Sequence, residues 1–296
     1  MSPIGVFDSG YGGLTILQQL RKQLPERDFI YLGDNARAPY GSRSFDVVYE
    51  FTRQAVMKLF SMGCRLVILG CNTASAKALR TIQQRDLMIT LTGTGTQTSS
   101  ELCSPEHLRS ARNLQDQGYR VLGVIRPTVE VIGSLTKSRH VGVVATEGTV
   151  RSESYTLEIA KFHPDIKVTG QACPLWAAIV EAGESESEGA EFFVRKRIGQ
   201  LLEKDPLIDT IILGCTHYPL LMNALKKAVP EGIRIVSQGE YVAASLEDYL
   251  RRHPDMDSMC SKGGTMRFYT TESPERFKEC AKMFLHKDVS VEHIDL

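Results

Sequence analysis

The sequence predicts an α/β fold: two pseudo-symmetric domains with parallel-type sheets, facing one another across a cleft. Three observations predict it. Short runs rich in Val, Ile and Leu alternate along the chain with longer segments whose apolar residues recur at helical spacing, the pattern of parallel strands joined by crossover helices. One motif, an apolar run that breaks at glycine and then presents a cysteine, occurs twice. Its copies are Ile68-Leu69-Gly70-Cys71-Asn72-Thr73-Ala74 and Ile212-Leu213-Gly214-Cys215-Thr216-His217-Tyr218-Pro219. Finally, Ile4-Gly5-Val6-Phe7-Asp8-Ser9 is echoed 137 positions later by Val141-Gly142-Val143-Val144-Ala145-Thr146, close to the 144 that separate the cysteines. Each half thus supplies a first strand with a polar tip and a later strand with a cysteine tip.

Taken in order, Ile4 to Phe7 reads as a strand that ends in the turn Asp8-Ser9-Gly10-Tyr11-Gly12-Gly13, after which Leu14, Ile16, Leu17 and Leu20 are spaced for a helix. Phe29 to Asp34 is a second strand, and Pro39-Tyr40-Gly41-Ser42-Arg43 a tight turn that offers backbone amides. A helix is expected from about Phe45 to Met62 on the stripe Val48, Phe51, Val56, Leu59, Phe60, ahead of the Cys71 strand. From about 86 to 118 the first half carries about 30 residues more than the corresponding stretch after Cys215. They include the run Thr90 to Ser100, too poor in apolar residues to pack, and a helix capped by Ser104, opened by Pro105 and stopped at Gly118. This reads as a surface excursion. A strand at Arg120 to Ile125 follows.

In the second half, Cys173 to Gly183 places Glu181 at the end of an apolar segment, and a helix to about Lys204 precedes the Cys215 strand. After the strand Arg234-Ile235-Val236 come an amphipathic helix to about Arg252, a polar loop through Gly263-Gly264, and a last helix near Pro274 to Leu285.

Composition narrows the function. With 35 basic and 35 acidic residues in 296 and no run of like charge, nothing marks a nucleic-acid or anionic-membrane surface, so a small-molecule partner is expected. No apolar stretch approaches the 18 or so residues of a membrane span. The start of the chain lacks the basic and long apolar regions of a secretory leader. Seven cysteines, with no CxxC and no metal-like spacing, fit reduced thiols in a cytoplasm.

A cysteine at a strand-to-helix turn meets free backbone N–H groups, which favour the thiolate and can hold an anion beside it. The same cysteine can equally be a small buried hydrophobe, but two matched turns argue against that. Two thiols and a carboxylate at strand tips suit removal of a proton from one face of a carbon and delivery of another to the opposite face, which is racemisation or epimerisation. Asp8 is a candidate partner for Cys71, although it reads equally as a turn-capping aspartate. His217, two residues past Cys215, is a candidate partner there, or a structural histidine bonding its own turn. Ser9, Asn72, Thr73, Thr146, Thr216 and the Tyr40-Gly41 backbone are candidates to hold a small anionic substrate. A two-lobed binding protein for an anionic metabolite also explains the cleft, but needs no matched thiols. A phosphate-binding nucleotidase lacks its GxxxxGK[ST] or GxGxxG.

In their order and spacing, FDSGYGG, YLGDNARAPYG, GCNTA and ILGCTHYPLL resemble the glutamate racemases of the cofactor-independent aspartate/glutamate racemase superfamily. The resemblance spans nearly the whole chain apart from the excursion. It implies catalytic cysteines at Cys71 and Cys215, an assisting acid and histidine among Asp8, Glu181 and His217, and substrate-binding pairs at Asp8-Ser9, Tyr40-Gly41, Asn72-Thr73 and Thr216-His217. It further implies interconversion of L- and D-glutamate in a bacterial cytoplasm, supply of D-glutamate for peptidoglycan, a homodimer, and neither pyridoxal phosphate nor metal. The family's domains are not contiguous halves, so the first is expected at 1–126 plus 239–296 and the second at 127–238. Asn35 stands where the family more often has threonine, and Ala178 where it often has proline.

Overall fold

The computed structural model describes residues 1–88 and 113–296. The threonine-rich run and the helix expected from Ser104 lie outside the described residues.

Ten strands among the described residues form two sheets. They are β1 (Ile4–Asp8), β2 (Phe29–Gly33), β3 (Leu66–Leu69), β4 (Arg120–Gly123), β5 (His140–Ala145), β6 (Lys167–Ala172), β7 (Thr210–Gly214), β8 (Arg234–Val236), β9 (Met266–Thr270) and β10 (Val291–His293). The six-stranded sheet runs β10-β9-β2-β1-β3-β4, the four-stranded one β6-β5-β7-β8. Every described pairing within them is parallel. Within the first sheet β2-β1-β3-β4 has the order that β6-β5-β7-β8 has in the second, so β1 corresponds to β5 and β3 to β7. The internal repeat is therefore a repeat of topology, and the protein has two α/β domains.

Helices on both faces bury the central strands. Every residue of β1, β2, β3 and β7 is buried, as expected of parallel strands covered on both sides. Helix Gly13–Gln23 lays Leu14, Ile16, Leu17 and Leu20 on the core and packs along helix Gly239–Arg252, which presents Val242, Ala243, Leu246 and Leu250. Each such side chain contributes about 1.5–3 kcal/mol by leaving water. Helix Phe45–Ser61 begins at Ser44, whose hydroxyl accepts from the Val47 N–H, and covers the other face with Val48, Ala55, Val56, Leu59 and Phe60.

Three features differ from the sequence expectations. The β4 strand stops at Gly123 and a helix, Ile125–Leu135, starts at once, because Pro127 falls in its first turn, where no N–H is needed. The stretch read as a polar loop holds helix Pro254–Met259 and strand β9, and β10 follows the last helix, Pro274–Leu285. After Cys215 the chain enters the 3₁₀ helix Tyr218–Leu221 instead of an α-helix. Pro219 has no N–H for the Cys215 carbonyl, which instead accepts from Tyr218 N at 3.2 Å, while the Thr216 carbonyl accepts from Thr15 Oγ1 at 3.0 Å. The two thiols thus sit on unlike turns.

Candidate functional site

The tips of β1, β3, β5 and β7 bring the expected residues together where the sheets face each other. Cys71 caps the short helix Asn72–Lys77, its sulfur accepting from Ala74 N at 3.4 Å and lying 3.3 Å from Ser9 Oγ. Asp8 makes no hydrogen bond to Cys71. Its Oδ2 accepts from Gly10 N at 3.0 Å, and its Oδ1 is buried without a hydrogen-bond partner. Burial raises the Asp8 carboxyl above the usual aspartate range, against the pull of His217 and of the Gly13 and Gly10 amides. The expectation that a helix terminus lowers Cys71 is reversed. Burial first and the Asp8 charge second push its thiol up to about 12, and the Ser9 and Ala74 donors only partly oppose them.

Cys215 lies among a different set of atoms. Its sulfur lies 3.7 Å from His217 Nδ1, and His217 Nε2 is 2.8 Å from Glu181 Oε1, at the end of helix Trp176–Glu181. Burial alone pulls His217 down, but its hydrogen bonds to Cys215 and Glu181 carry it up to about 10, so the ring holds both protons at neutral pH. It then donates Nε2–H to the carboxylate and Nδ1–H to the sulfur. Phe284 of the last helix sets its edge against the imidazole at 5.8 Å between centroids and restrains its tilt.

The glycine-rich turn explains its composition here. A Cβ on Gly12 would stand 2.2 Å from Thr216 Oγ1 and 2.5 Å from His217 Nδ1, so only glycine lets the first domain's turn meet the second domain's histidine. A Cβ on Gly41 would stand 2.9 Å from Thr146 Cβ, and the Gly41 carbonyl accepts from Gly148 N at 2.8 Å. Around this second crossing Thr73, Thr146 and Thr149 place three hydroxyls within 3.0–3.2 Å of one another. Such a cluster can turn its donors to an arriving carboxylate.

Tyr40 and Asn72, both expected at the binding site, have side chains engaged elsewhere, and for Tyr40 it was the backbone that the sequence put forward. The Tyr40 hydroxyl donates to Asp34, which also accepts from Arg37 and Thr271, so Tyr40 offers its backbone and not its ring oxygen. The Asn72 amide is bonded to Tyr155 and Gln238. Thr149, Tyr155 and Gln238 were not singled out from sequence, and only Thr149 carried a signal, three residues after the N-cap Thr146. A cavity of about 640 Å³ is lined by Cys215, Thr216, Thr15 and Gln238 among others. Among the described residues no group of three or more His, Cys, Asp or Glu side chains is placed to hold a metal ion, and no helix is long and apolar enough to cross a membrane.

Residues 118–246 match the family described as Asp/Glu/Hydantoin racemase. The chain is 39% identical to a glutamate racemase of Roseobacter denitrificans, over 97% of each chain. Among solved structures it is similar to a glutamate racemase of Bacillus anthracis, with a TM-score of 0.82, 32% identity and coverage of 100% of this chain and 98% of that one. It is also similar to the glutamate racemase of Francisella tularensis solved with D-glutamate, at a TM-score of 0.80 and 28% identity over 99% and 97% of the two chains.

Proposed function

This chain belongs to the glutamate racemase family, and from that premise we propose that it interconverts L- and D-glutamate by passing the Cα proton between two thiols, Cys71 and Cys215. One observation carries the reading: two cysteines stand at the corresponding tips of β3 and β7, in two sheets of the same order that face each other. In each turnover one thiolate takes the proton from Cα and the opposing thiol gives its own to the other face. The two sulfurs exchange protonation states and the stereocentre inverts. The α-carboxylate, held by hydrogen bonds, takes up the charge that develops as the C–H bond breaks. Asp8 and Ser9 attend Cys71, and Glu181 with His217 attends Cys215. Asp8-Ser9, the Tyr40-Gly41 backbone, Asn72-Thr73, Thr146 and Thr216-His217 hold the substrate. No metal or organic cofactor takes part.

Because burial pushes the Cys71 thiol up, Cys71 rests as the proton donor. By the family assignment, in which Cys71 takes the proton of D-glutamate, that is the L-to-D direction, the one that supplies D-glutamate for peptidoglycan in the cytoplasm. The chain works as a homodimer, and its domains are bounded at 1–126 plus 239–296 and at 127–238. The placement of β1–β4, β9 and β10 in one sheet and β5–β8 in the other supports that division.

The test is loss of optical rotation from L-glutamate by purified protein with chelator present and no added cofactor. A panel of amino acids resolved by chiral chromatography separates glutamate from aspartate as substrate. A flat trace from folded protein favours a binding protein instead, and light scattering reads the oligomeric state.

A further inference from the structure

We infer that Tyr155, held by Gln238, is a positioning residue that sets the separation of the two thiols. The inference rests on the two-thiol reading above. Tyr155 lies on helix Ser154–Phe162 of the second domain and touches the neighbours of both cysteines. Its hydroxyl donates to Asn72 Oδ1 at 2.7 Å, and Asn72 follows Cys71 directly. Its ring edge lies where a Cβ on Gly214 would come within 3.2 Å of Tyr155 Cε2, and Gly214 directly precedes Cys215. One rigid side chain therefore reaches from the side chain of Asn72, next to Cys71, to the face of Gly214, next to Cys215.

The contact is closed into a ring. Asn72 Nδ2 donates to Gln238 Oε1 at 2.7 Å, and Gln238 Nε2 donates to the Tyr155 hydroxyl at 2.7 Å and to the Val124 carbonyl at 3.1 Å. Around the ring each of the three side chains donates once and accepts once, so the arrangement has a single sense. Flipping the Gln238 amide would set its Nε2 against Asn72 Nδ2, donor against donor, and flipping the Asn72 amide would set oxygen against oxygen. Asn72, Tyr155 and Gln238 are each only 3% exposed, so water does not replace a lost partner. Val124 and Gln238 flank the two places where the chain passes between domains. The ring thus ties both passages to the residue beside Cys71. Ser154 reinforces the tie, its hydroxyl donating to the Ala76 carbonyl at 3.1 Å.

Proton transfer from opposite faces of one carbon tolerates little error in that separation. A shift of about 1 Å at a reacting group costs on the order of 100-fold in rate. A side chain that fixes the two thiol backbones relative to each other governs turnover more than it governs substrate affinity.

The experiment compares Tyr155→Phe, which keeps the ring and removes the hydroxyl, with Gln238→Leu, which keeps the volume and removes the amide. Wild type, Cys71→Ala and Cys215→Ala are run alongside. Expected for both variants is a fall in kcat of about 10- to 100-fold in each direction, KM changed by less than about threefold, and a larger primary isotope effect with Cα-deuterated glutamate of either hand. Values of kcat per folded molecule within about twofold of wild type, whatever happens to the melting temperature, overturn the inference. So does failure of both variants to fold, which makes the ring a stabilising contact only. If one variant fails to fold, the other decides. Surviving racemisation in Cys71→Ala or Cys215→Ala defeats the two-thiol reading itself, an outcome distinct from unaffected Tyr155→Phe beside dead cysteine variants.

Discussion

His217 stands between Cys215 and Glu181, with Nδ1 3.7 Å from the sulfur and Nε2 2.8 Å from the carboxylate. The pair makes stability depend on pH with a definite sign. The folded value of His217, about 10, lies above its ordinary 6.5, so its stabilisation is fully present below about pH 6.5 and is lost as pH rises through about 10. Glu181→Gln removes one of the two partners that raise it, Cys215 being the other, so the variant is less stable than wild type near pH 6 to 8 and loses less stability on going to about pH 10. Denaturant midpoints at those pH values check this, and parallel curves for the two proteins contradict it.

The two-thiol proposal makes each cysteine indispensable. Cys71→Ala and Cys215→Ala should abolish racemisation and leave the circular dichroism spectrum unchanged, because neither sulfur reaches the other's face of the carbon. More than a trace of activity in both variants ends the two-base mechanism.

Gly12→Ala should inactivate the protein more than it destabilises it. Gly12 has an ordinary backbone φ of −58°, so the change adds no backbone strain, but its Cβ collides with Thr216 Oγ1 and His217 Nδ1. The threonine can rotate away. The imidazole is held by Glu181 and has to leave Cys215. Activity within about twofold of wild type in a well-folded variant shows that His217 is not needed at the sulfur.

The three-threonine cluster makes a quantitative prediction. Thr73→Ala removes one hydroxyl from a buried set of three and should cost about 1–3 kcal/mol in kcat/KM for glutamate. Unchanged kinetics locate the substrate carboxylate elsewhere.

The unlike turns predict unlike kinetics. Enantiomers in water have equal free energy, so kcat/KM is the same in both directions for any variant, and an asymmetry has to appear in kcat and in isotope effects. Cys71, pushed up to about 12, has to lose its proton before it can abstract one from D-glutamate, so kcat from D-glutamate should rise with pH more steeply than kcat from L-glutamate. Asp8→Asn should enlarge the isotope effect with Cα-deuterated D-glutamate, and His217→Asn that with deuterated L-glutamate. Equal isotope effects for both substrates in both variants mean that the activating groups are shared across the cleft.

Much of this was legible in the sequence because local rules set it. The apolar strands, the helices from about Phe45 and Pro274 and the strand-to-helix turn at Cys71 reach the structure as expected, since buried parallel strands are continuous apolar runs. The strand β9 was missed because it is only partly apolar, Met266-Arg267-Phe268-Tyr269-Thr270, and its partner β2 lies more than 230 residues away. The turn at Cys215 was misread because a glycine followed by a polar residue looks alike before an α-helix and a 3₁₀ turn. Only the missing N–H of Pro219 decides between them. The direction at Cys71 was misjudged because burial depends on packing from both domains. Tyr155 and Gln238 were invisible for the same reason, since their ring is assembled from three distant segments.

The sheet order carries a consequence for how the molecule is made. The four strands of the second sheet occupy one continuous stretch, from His140 to Val236, and none of them waits for a partner from beyond it. The first sheet begins to emerge from the ribosome earlier but cannot be completed until β9 and β10, because β9 pairs with β2 from Phe29 with Met266 to Gly33 with Thr270 and β10 pairs with β9. Through most of synthesis β2, whose five residues all end up buried, has one unpaired edge open to strands of other nascent chains. The domain that is started first is the one finished last, and the final stretch of translation is what closes its exposed edge.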